Sequence, residues 1–441
     1  MRLLLIGRGP LASPQGFPQL RLQHFVEALG ADLEAKHELR VVELVPQSTP
    51  AQENIPGSQW SGHHWIAEEG PDWITKIKHL AHHPDGSADA IIAAGPHNPS
   101  RVACLIAEDI PVWADFPGDP FAEFHSLSVA DTATAERFAG VFEATLPVLA
   151  RADHFSVVSE RQQWATLGQL ELLGRMVQPG AEQMVSVVPV AIPPTKHESS
   201  NARPHHTGKQ GLVIAISGGF NTWFDHQTLV SALEQFLPRH PDAQVQVTGG
   251  PLPGHYDKGH AAFESWATQY PEQVHLHGWA SADEAELILS SAHVGICLDL
   301  PSLEPLLGSR TRVLWWADRG LDVICTPSCE LLKHLARDGL VHGVPPQSPE
   351  SVVAQLERLV ASPQTSVGNK LQQEIRRIAN PTTTAANLVA WARRPYRTAS
   401  PPSETIGGHL AVENTRLRDQ ITRIHQSPTW RVLSALQRKL S

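Results

Sequence analysis

The sequence predicts an α/β protein made of two doubly wound, Rossmann-like parallel-sheet domains that face each other across a cleft. Three observations carry this. Short apolar runs of strand length alternate with stretches of helical apolar spacing from the first residues onward, the pattern of parallel strands joined by crossover helices. The alternation breaks at IPPTKHESSNARPHHTGKQ, which has no periodic apolar face, and then resumes. A chain of 441 residues also matches two domains of about 100–200 residues each.

In chain order, RLLLIG, LRVVELV, ADAIIAAG, IPVWADF, HFSVVS and MVSVVPV are the expected strands of an N-terminal domain, residues 1–190. The start GRGPLA matches a G-x-G-x-x-A dinucleotide fingerprint, and Glu43 ends the next strand as a ribose-binding acid would. Against that reading, Pro10, Pro14 and Pro18 prevent a helix from opening at the fingerprint, so the first helix is placed at Phe17. Residues 191–210 form the linker. GLVIAISGG, AQVQVTGG, QVHLHGW, HVGICLDL and LDVICT follow as strands of a second domain, 211–380, with helices such as HQTLVSALEQFL and DEAELILSSA between them. A closing helix, 381–395, a Pro/Ser/Gly spacer, 396–410, and a basic amphipathic helical tail, 411–441, complete the chain.

Composition narrows the function. A formal net charge of −10 argues against a general nucleic-acid binder, which needs a basic surface. The four cysteines are too few for a disulfide scaffold, and three of them lie in or beside apolar segments, as buried thiols do, which fits a cytoplasmic protein. No apolar stretch of about 20 residues occurs, so the chain is expected to be soluble or at most peripheral, on the inner membrane face. The pairs His63/His64, His82/His83 and His205/His206 are read as polar loops, since adjacent residues are poorly spaced to share one metal. Cys325, Cys329 and His334 are no stronger as a metal set. Without an Asp-x-Asp pair, a Walker loop or a G-x-S-x-G elbow, neither metal nor cofactor is expected.

The segment GSRTRVLWWADRG, 308–320, lies between two strand-like runs and is expected to be a helix with Ser309 as N-cap. Arg310 and Arg312 then fall in the first turn, where cations oppose the helix macrodipole by roughly 0.3–1 kcal/mol each if exposed. Their presence points to an anion, and removing one is expected to leave the unliganded fold no less stable. Gly218 and Gly219 sit in the first strand-to-helix turn of the second domain, where backbone amides approach a phosphate closely. The bland alternatives are a tight turn for the glycines and surface ion pairs for the arginines.

SGGFNTWFDHQTLVSAL, VTGG, VHLHGW, ELILSSAHVGICL and GSRTRVLWWADRGLDVICT together resemble the second domain of GT-B fold glycosyltransferases, in particular the large retaining family that uses nucleotide-sugar donors. The resemblance covers most of residues 211–345 and the first domain more loosely. It implies that Gly218, Gly219, Asn221, Gly308, Ser309, Arg310, Thr311 and Arg312 bind the donor. It implies further that Gly16 and Phe17 belong to an acceptor-side loop, with His125 as an acceptor-side candidate. The family's two glutamates about eight residues apart are not reproduced: with Gly320 fixing the register, the second position falls on Trp315, and Glu304 precedes the first. Trp223 or Phe224 stands near the family's usual lysine.

Asp115, at the end of IPVWADF, falls where the family often has a histidine that projects into the cleft. With Asp119, Glu123 and Glu304 it completes the catalytic candidates, because an acid there accepts a hydrogen bond from an acceptor hydroxyl or stabilises an oxocarbenium-like centre. Capping around PGDP is the alternative for Asp115 and Asp119. The expectation is a retaining, metal-independent transfer of a sugar from a nucleoside diphosphate to a glycan or lipid-linked acceptor in bacterial surface glycan synthesis. Two alternatives are a non-catalytic glycosyltransferase-like subunit and a sugar-nucleotide epimerase. The tail's SPTWR…L run resembles tails of bacterial surface-polysaccharide enzymes, and its basic, amphipathic character suggests docking on an anionic membrane or a coiled-coil partner.

Overall fold

A computed structural model of the chain describes residues 1–11, 16–32, 38–45, 63–68, 73–84, 86–95, 97–129, 134–192, 211–251, 258–361 and 367–398, with scattered positions between 413 and 430. Residues 193–210 of the expected linker, most of the spacer and tail, and the pair His205/His206 lie outside the described residues. No described helix is long and apolar enough to cross a membrane.

The first sheet contains β1 (Arg2–Arg8), β2 (Glu38–Val45), β3 (His63–Glu68), β4 (Ala90–Ala94), β5 (Val112–Phe116), β6 (His154–Val157) and β7 (Val185–Val187). Its spatial order is β3-β2-β1-β4-β5-β6-β7, and every pairing is parallel. The second sheet contains β8 (Val213–Ser217), β9 (Gln244–Thr248), β10 (Val274–Gly278), β11 (Val294–Cys297), β12 (Asp322–Cys325) and β13 (His342–Gly343), ordered β10-β9-β8-β11-β12-β13 and also parallel. Both orders reverse direction beside the first strand of the domain. Crevices therefore open at the carboxyl ends of β1/β4 and β8/β11, the positions where doubly wound sheets hold ligands.

Both sheets are covered on both faces, which explains why their strands read as continuous apolar runs. In β1, Leu4 and Ile6 enter one core with Val42 and Ile91, whereas Leu3 and Leu5 enter the opposite core with Phe25 and Trp113. β8 and β12 divide likewise, with Ile214, Ile216 and Ile324 on one side and Ala215, Val323 and Cys325 on the other. Cys297 and Cys325 are register partners on β11 and β12, and burial pushes the Cys297 thiol up to about 12.

The short helices Pro381–Thr384 and Ala386–Arg393 return to the first domain. Ala385, Leu388 and Trp391 join Leu3 and Phe25 in its core. Buried His24, lowered to about 3 by burial and then by the charge of Arg21, is neutral and lies 3.1 Å from the Pro381 carbonyl and 2.9 Å from the Thr384 hydroxyl.

The structure departs from the sequence reading in several places. His63 and His64 open the edge strand β3 rather than a polar loop, and His64 Nε2 pairs with Glu43. The strand was missed because polar residues at a sheet edge carry little apolar signal. Glu43 is buried and accepts the Leu11 amide at 2.9 Å, so it braces the turn after β1 and is not presented to a ribose. The first helix, Phe17–Asp32, starts where the prolines place it. The helix after GSR starts at Thr311 and ends at Asp318. Arg310 occupies the N-cap position without a side-chain cap bond, so Ser309 is not the cap.

Candidate active site between the two sheets

A cavity of about 510 Å³ lies where the carboxyl ends of the two sheets face one another, within the range of about 300–1,000 Å³ usual for small-molecule sites. On the second-domain wall, β8 runs into Gly218, whose φ of 89° is strained for any residue with a Cβ. Its amide donates to the Thr248 carbonyl at 2.8 Å. Gly249, after β9, has φ 108°, and a Cβ there would stand 2.2 Å from the Gly218 carbonyl oxygen. The glycines thus let two strand-end turns nest against each other. Gly219, Asn221 and Trp223 continue that wall.

Opposite these glycines is the N-terminus of the helix Thr311–Asp318, where Ser309, Thr311 and Arg312 line the cavity. The amides of Thr311 and Arg312 have no hydrogen-bond acceptor among the described residues, as expected for the first turn of a helix without a side-chain cap. Arg312 donates from Nη2 to the Gly219 carbonyl at 3.0 Å, and its guanidinium carbon lies 5.5 Å from the Phe224 ring centroid. It makes no ion pair within 4 Å among the described residues. Most of its five N–H groups remain for a ligand.

Arg310 is arranged differently, which corrects the expectation that both arginines present free guanidinium groups. It is 4% exposed. Nε donates to both Asp299 oxygens at 3.0 and 2.8 Å, Nη2 to Glu304 at 2.9 Å, and Nη1 to the Ser309 carbonyl at 2.8 Å. Burial works against its charge, but Asp299 and Glu304 outweigh that and hold it protonated. Arg310 lines the cavity with its charge already satisfied, so the anion signal of GSRTR narrows to Arg312 and the helix amides.

The acids separate as clearly. Asp115 does not project into the cleft: it is fully buried, pairs with both Nε and Nη2 of Arg21 at 3.0 and 2.7 Å, and accepts from Ser156 Oγ at 2.6 Å and the Gly95 amide at 2.9 Å. A buried carboxylate needs such partners, and the helix Phe17–Asp32 supplies the cation. Asp119 is an N-cap. Its Oδ1 accepts the Phe121 and Ala122 amides at 3.0 and 2.8 Å, and its Oδ2 accepts from Gln169 at 2.7 Å. His125 is exposed and does not line the cavity. Gly308 lies just outside it, where a Cβ would stand 2.7 Å from Glu304 Oε1.

Glu123, on the helix Pro120–Val129, and Glu304, on the helix Leu303–Leu307, do line the cavity, from opposite domains. Burial, and then the charges of Glu304 and Asp119, push Glu123 up to about 8. Burial also raises Glu304, against the attraction of Arg310. Gly16 and Phe17 lie on the first-domain wall.

Glu123 gives a pH prediction. Its folded value lies above its unfolded value, so the native state holds a proton that the unfolded chain has lost between about pH 4.5 and 8. That contribution is complete at the acid end of the window and disappears as pH rises through the folded value. Melting curves between pH 5 and 8.5 are expected to fall more steeply for the wild type than for Glu123→Gln; parallel curves would show that Glu123 titrates normally.

Sequence reasoning missed three site residues. His97 lines the cavity just beyond β4 with φ 59° and ψ −120°, a backbone conformation that persists only when its surroundings impose it. Asp299, just after β11, holds Arg310. Trp279, after β10, lines the cavity with its indole N–H bonded to the Pro251 carbonyl at 2.9 Å. The signal that could have found His97 and Asp299 is position, because each follows a strand at its sheet's switch point.

No family model matches the chain, and no curated protein matches it in sequence. Solved structures do match in fold. Sucrose-phosphate synthase from Thermosynechococcus elongatus aligns with a TM-score of 0.66 at 16% identity, over 89% of this chain and 98% of that one. HepE from Anabaena in complex with UDP and glucose aligns with a TM-score of 0.61 at 12% identity, over 89% and 100%. A glycosyltransferase from Rickettsia africae gives 0.58 at 11% identity, over 90% and 99%. The chain therefore shares the two-domain GT-B fold of these solved structures.

Proposed function

We propose that the protein is a glycosyltransferase that takes a sugar from a nucleoside diphosphate and passes it to an acceptor hydroxyl, with a retained anomeric configuration. The observation that carries this reading is the anion site in the second-domain wall: Arg312 without an ion-pair partner among the described residues, beside two unaccepted helix amides and facing the Gly218–Gly219 turn. Leaving of a diphosphate develops charge on oxygen, and a guanidinium with helix amides stabilises that charge without proton transfer. The first-domain wall, with Phe17, His97 and Glu123, is where the acceptor enters. A bacterial surface glycan is the acceptor class in this reading, supported by the fold likeness to the lipopolysaccharide outer core galactosyltransferase WaaB, at a TM-score of 0.54 and 10% identity.

The test is release of free nucleoside diphosphate from a panel of nucleotide sugars with and without acceptor glycans. Release that requires the acceptor supports transfer, and nucleotide binding without turnover supports a non-catalytic subunit. One observation favours that second reading: Trp315, at the position where the resembling family has an acid, lines the cavity and supplies no carboxylate there. Donor binding is also expected to be metal-independent, because the Arg312 guanidinium and the helix amides supply positive charge for the phosphates. Calorimetric affinity for UDP should be the same in EDTA as in Mg²⁺ or Mn²⁺, and a loss in EDTA that either ion restores would sink this part.

A further inference from the structure

The proposed site needs walls from both domains, so something must set their relative position. The helix Glu160–Leu172 of the first domain is built to report it. Its first three amides are all accepted, but only that of Gln162 by its own domain, through Ser159 Oγ at 3.1 Å. The amides of Glu160 and Arg161 donate to the two carboxylate oxygens of Glu330 at 2.9 and 2.6 Å, and Glu330 belongs to the second domain. A carboxylate at a helix N-terminus is favoured by two charge-assisted bonds and by the macrodipole. The same junction is tied by Ser159 Oγ donating to the Leu307 carbonyl at 2.6 Å and by Arg161 Nη1 donating to the Ser328 carbonyl at 3.4 Å.

These contacts continue into the site. Ser328 Oγ donates to Asp299 Oδ2 at 2.6 Å, and Asp299 holds Arg310, which holds Glu304. A second cavity of about 300 Å³ lies between the domains at this junction, lined by Glu330 and Ser159, and it shares Ser309 with the large one.

We infer that Glu330 is an interdomain latch: a positioning residue that completes the N-terminal cap of Glu160–Leu172 only when the domains are closed, and so sets the spacing of Glu123 and Phe17 from Arg312 and Glu304. Opening leaves two amides and a carboxylate to be resolvated, so the closed state is favoured before any ligand arrives. The donor anion site lies wholly in the second domain, and the latch should therefore affect turnover far more than nucleotide affinity. That consequence rests on the proposed function, whereas the latch itself does not.

The experiment uses the full chain with Glu330→Ala, Glu330→Gln and Ser159→Ala. Small-angle scattering of the unliganded proteins should give a larger radius of gyration for Glu330→Ala. Glu330→Gln, which retains one acceptor oxygen, should fall between it and the wild type. With nucleotide sugar and acceptor, Glu330→Ala should lose about tenfold or more in kcat while the Kd for UDP changes by less than about twofold. If Glu330→Ala does not fold, Ser159→Ala, which removes one tie across the junction, carries the scattering test. Wild-type scattering from every folded variant overturns the latch. Failure of the wild type to bind UDP overturns the functional reading and leaves the scattering result to decide the latch.

Discussion

Arg312→Ala is expected to weaken binding of a nucleoside diphosphate by roughly 10–150-fold without lowering the melting temperature of the unliganded protein. The magnitude follows from a hydrogen bond to a charged group in a closed cleft, worth about 1.5–3 kcal/mol, with 1.4 kcal/mol per factor of ten. The absence of a stability cost follows from the side chain's partners. Arg312 gives one hydrogen bond to a carbonyl and meets no carboxylate at ion-pair distance among the described residues, so its removal strands no buried charge. Its place in the first turn of Thr311–Asp318 opposes the macrodipole, which makes the apo protein at least as stable without it. Arg312→Lys should recover only part of the affinity, because an ammonium lacks the planar fork. Calorimetry with UDP and with uridine separates the contributions: the substitution should reduce affinity for the first and spare the second. Equal losses for both, or a fall in melting temperature with UDP affinity intact, would remove Arg312 from the donor site.

The fold was legible because its signal is redundant. Each central strand is buried on both faces, so RLLLIG, ADAIIAAG and GLVIAIS read as unbroken apolar runs, and the prolines after Gly9 excluded an early helix. Elements at the sheet edges were not legible. β3 begins with two histidines and β13 has two residues, neither with enough apolar periodicity to stand out.

At the site, the strand-end glycines and the GSRTR corner were readable from local pattern. What each charged side chain does there was not, because it depends on which partner the fold brings against it, near or far in sequence. Asp115 is matched by Arg21, 94 positions earlier, and Arg310 by Asp299 across a strand end, so a free acid and a free cation in the sequence are both satisfied in the fold. Glu123 shows the converse. It looks like an ordinary first-turn acid, and burial, followed by the charges of Glu304 from the other domain and of Asp119, separates it from one.

Arg310→Ala is expected to do the opposite of Arg312→Ala, and the contrast decides whether the two arginines are read correctly. The sequence alone suggested that losing either cation would leave the apo fold undamaged. With Asp299 at 3% and Glu304 at 6% exposure, both bonded to Arg310, its removal leaves two buried carboxylates without their cation. Breaking a buried pair from one side costs about 3–5 kcal/mol, and each kcal/mol lowers the melting temperature of a domain this size by about 2–4 °C. The second-domain transition should fall by roughly 6–20 °C. The deficit should also grow with pH. Burial already raises Glu304, and without Arg310 its folded value rises further above its unfolded one. The protonated form is tolerated in acid, and the cost appears as pH climbs past the unfolded carboxylate range towards neutrality. Arg310→Lys should restore little, since one ammonium cannot span Asp299 and Glu304 as the guanidinium does. Combining Arg310→Met with Asp299→Asn and Glu304→Gln should restore much of the lost melting temperature, because no buried charge is then left unpaired. A single variant that melts like the wild type at pH 8 yet loses UDP affinity would mean that Arg310 turns from the acids to the phosphates when the donor binds.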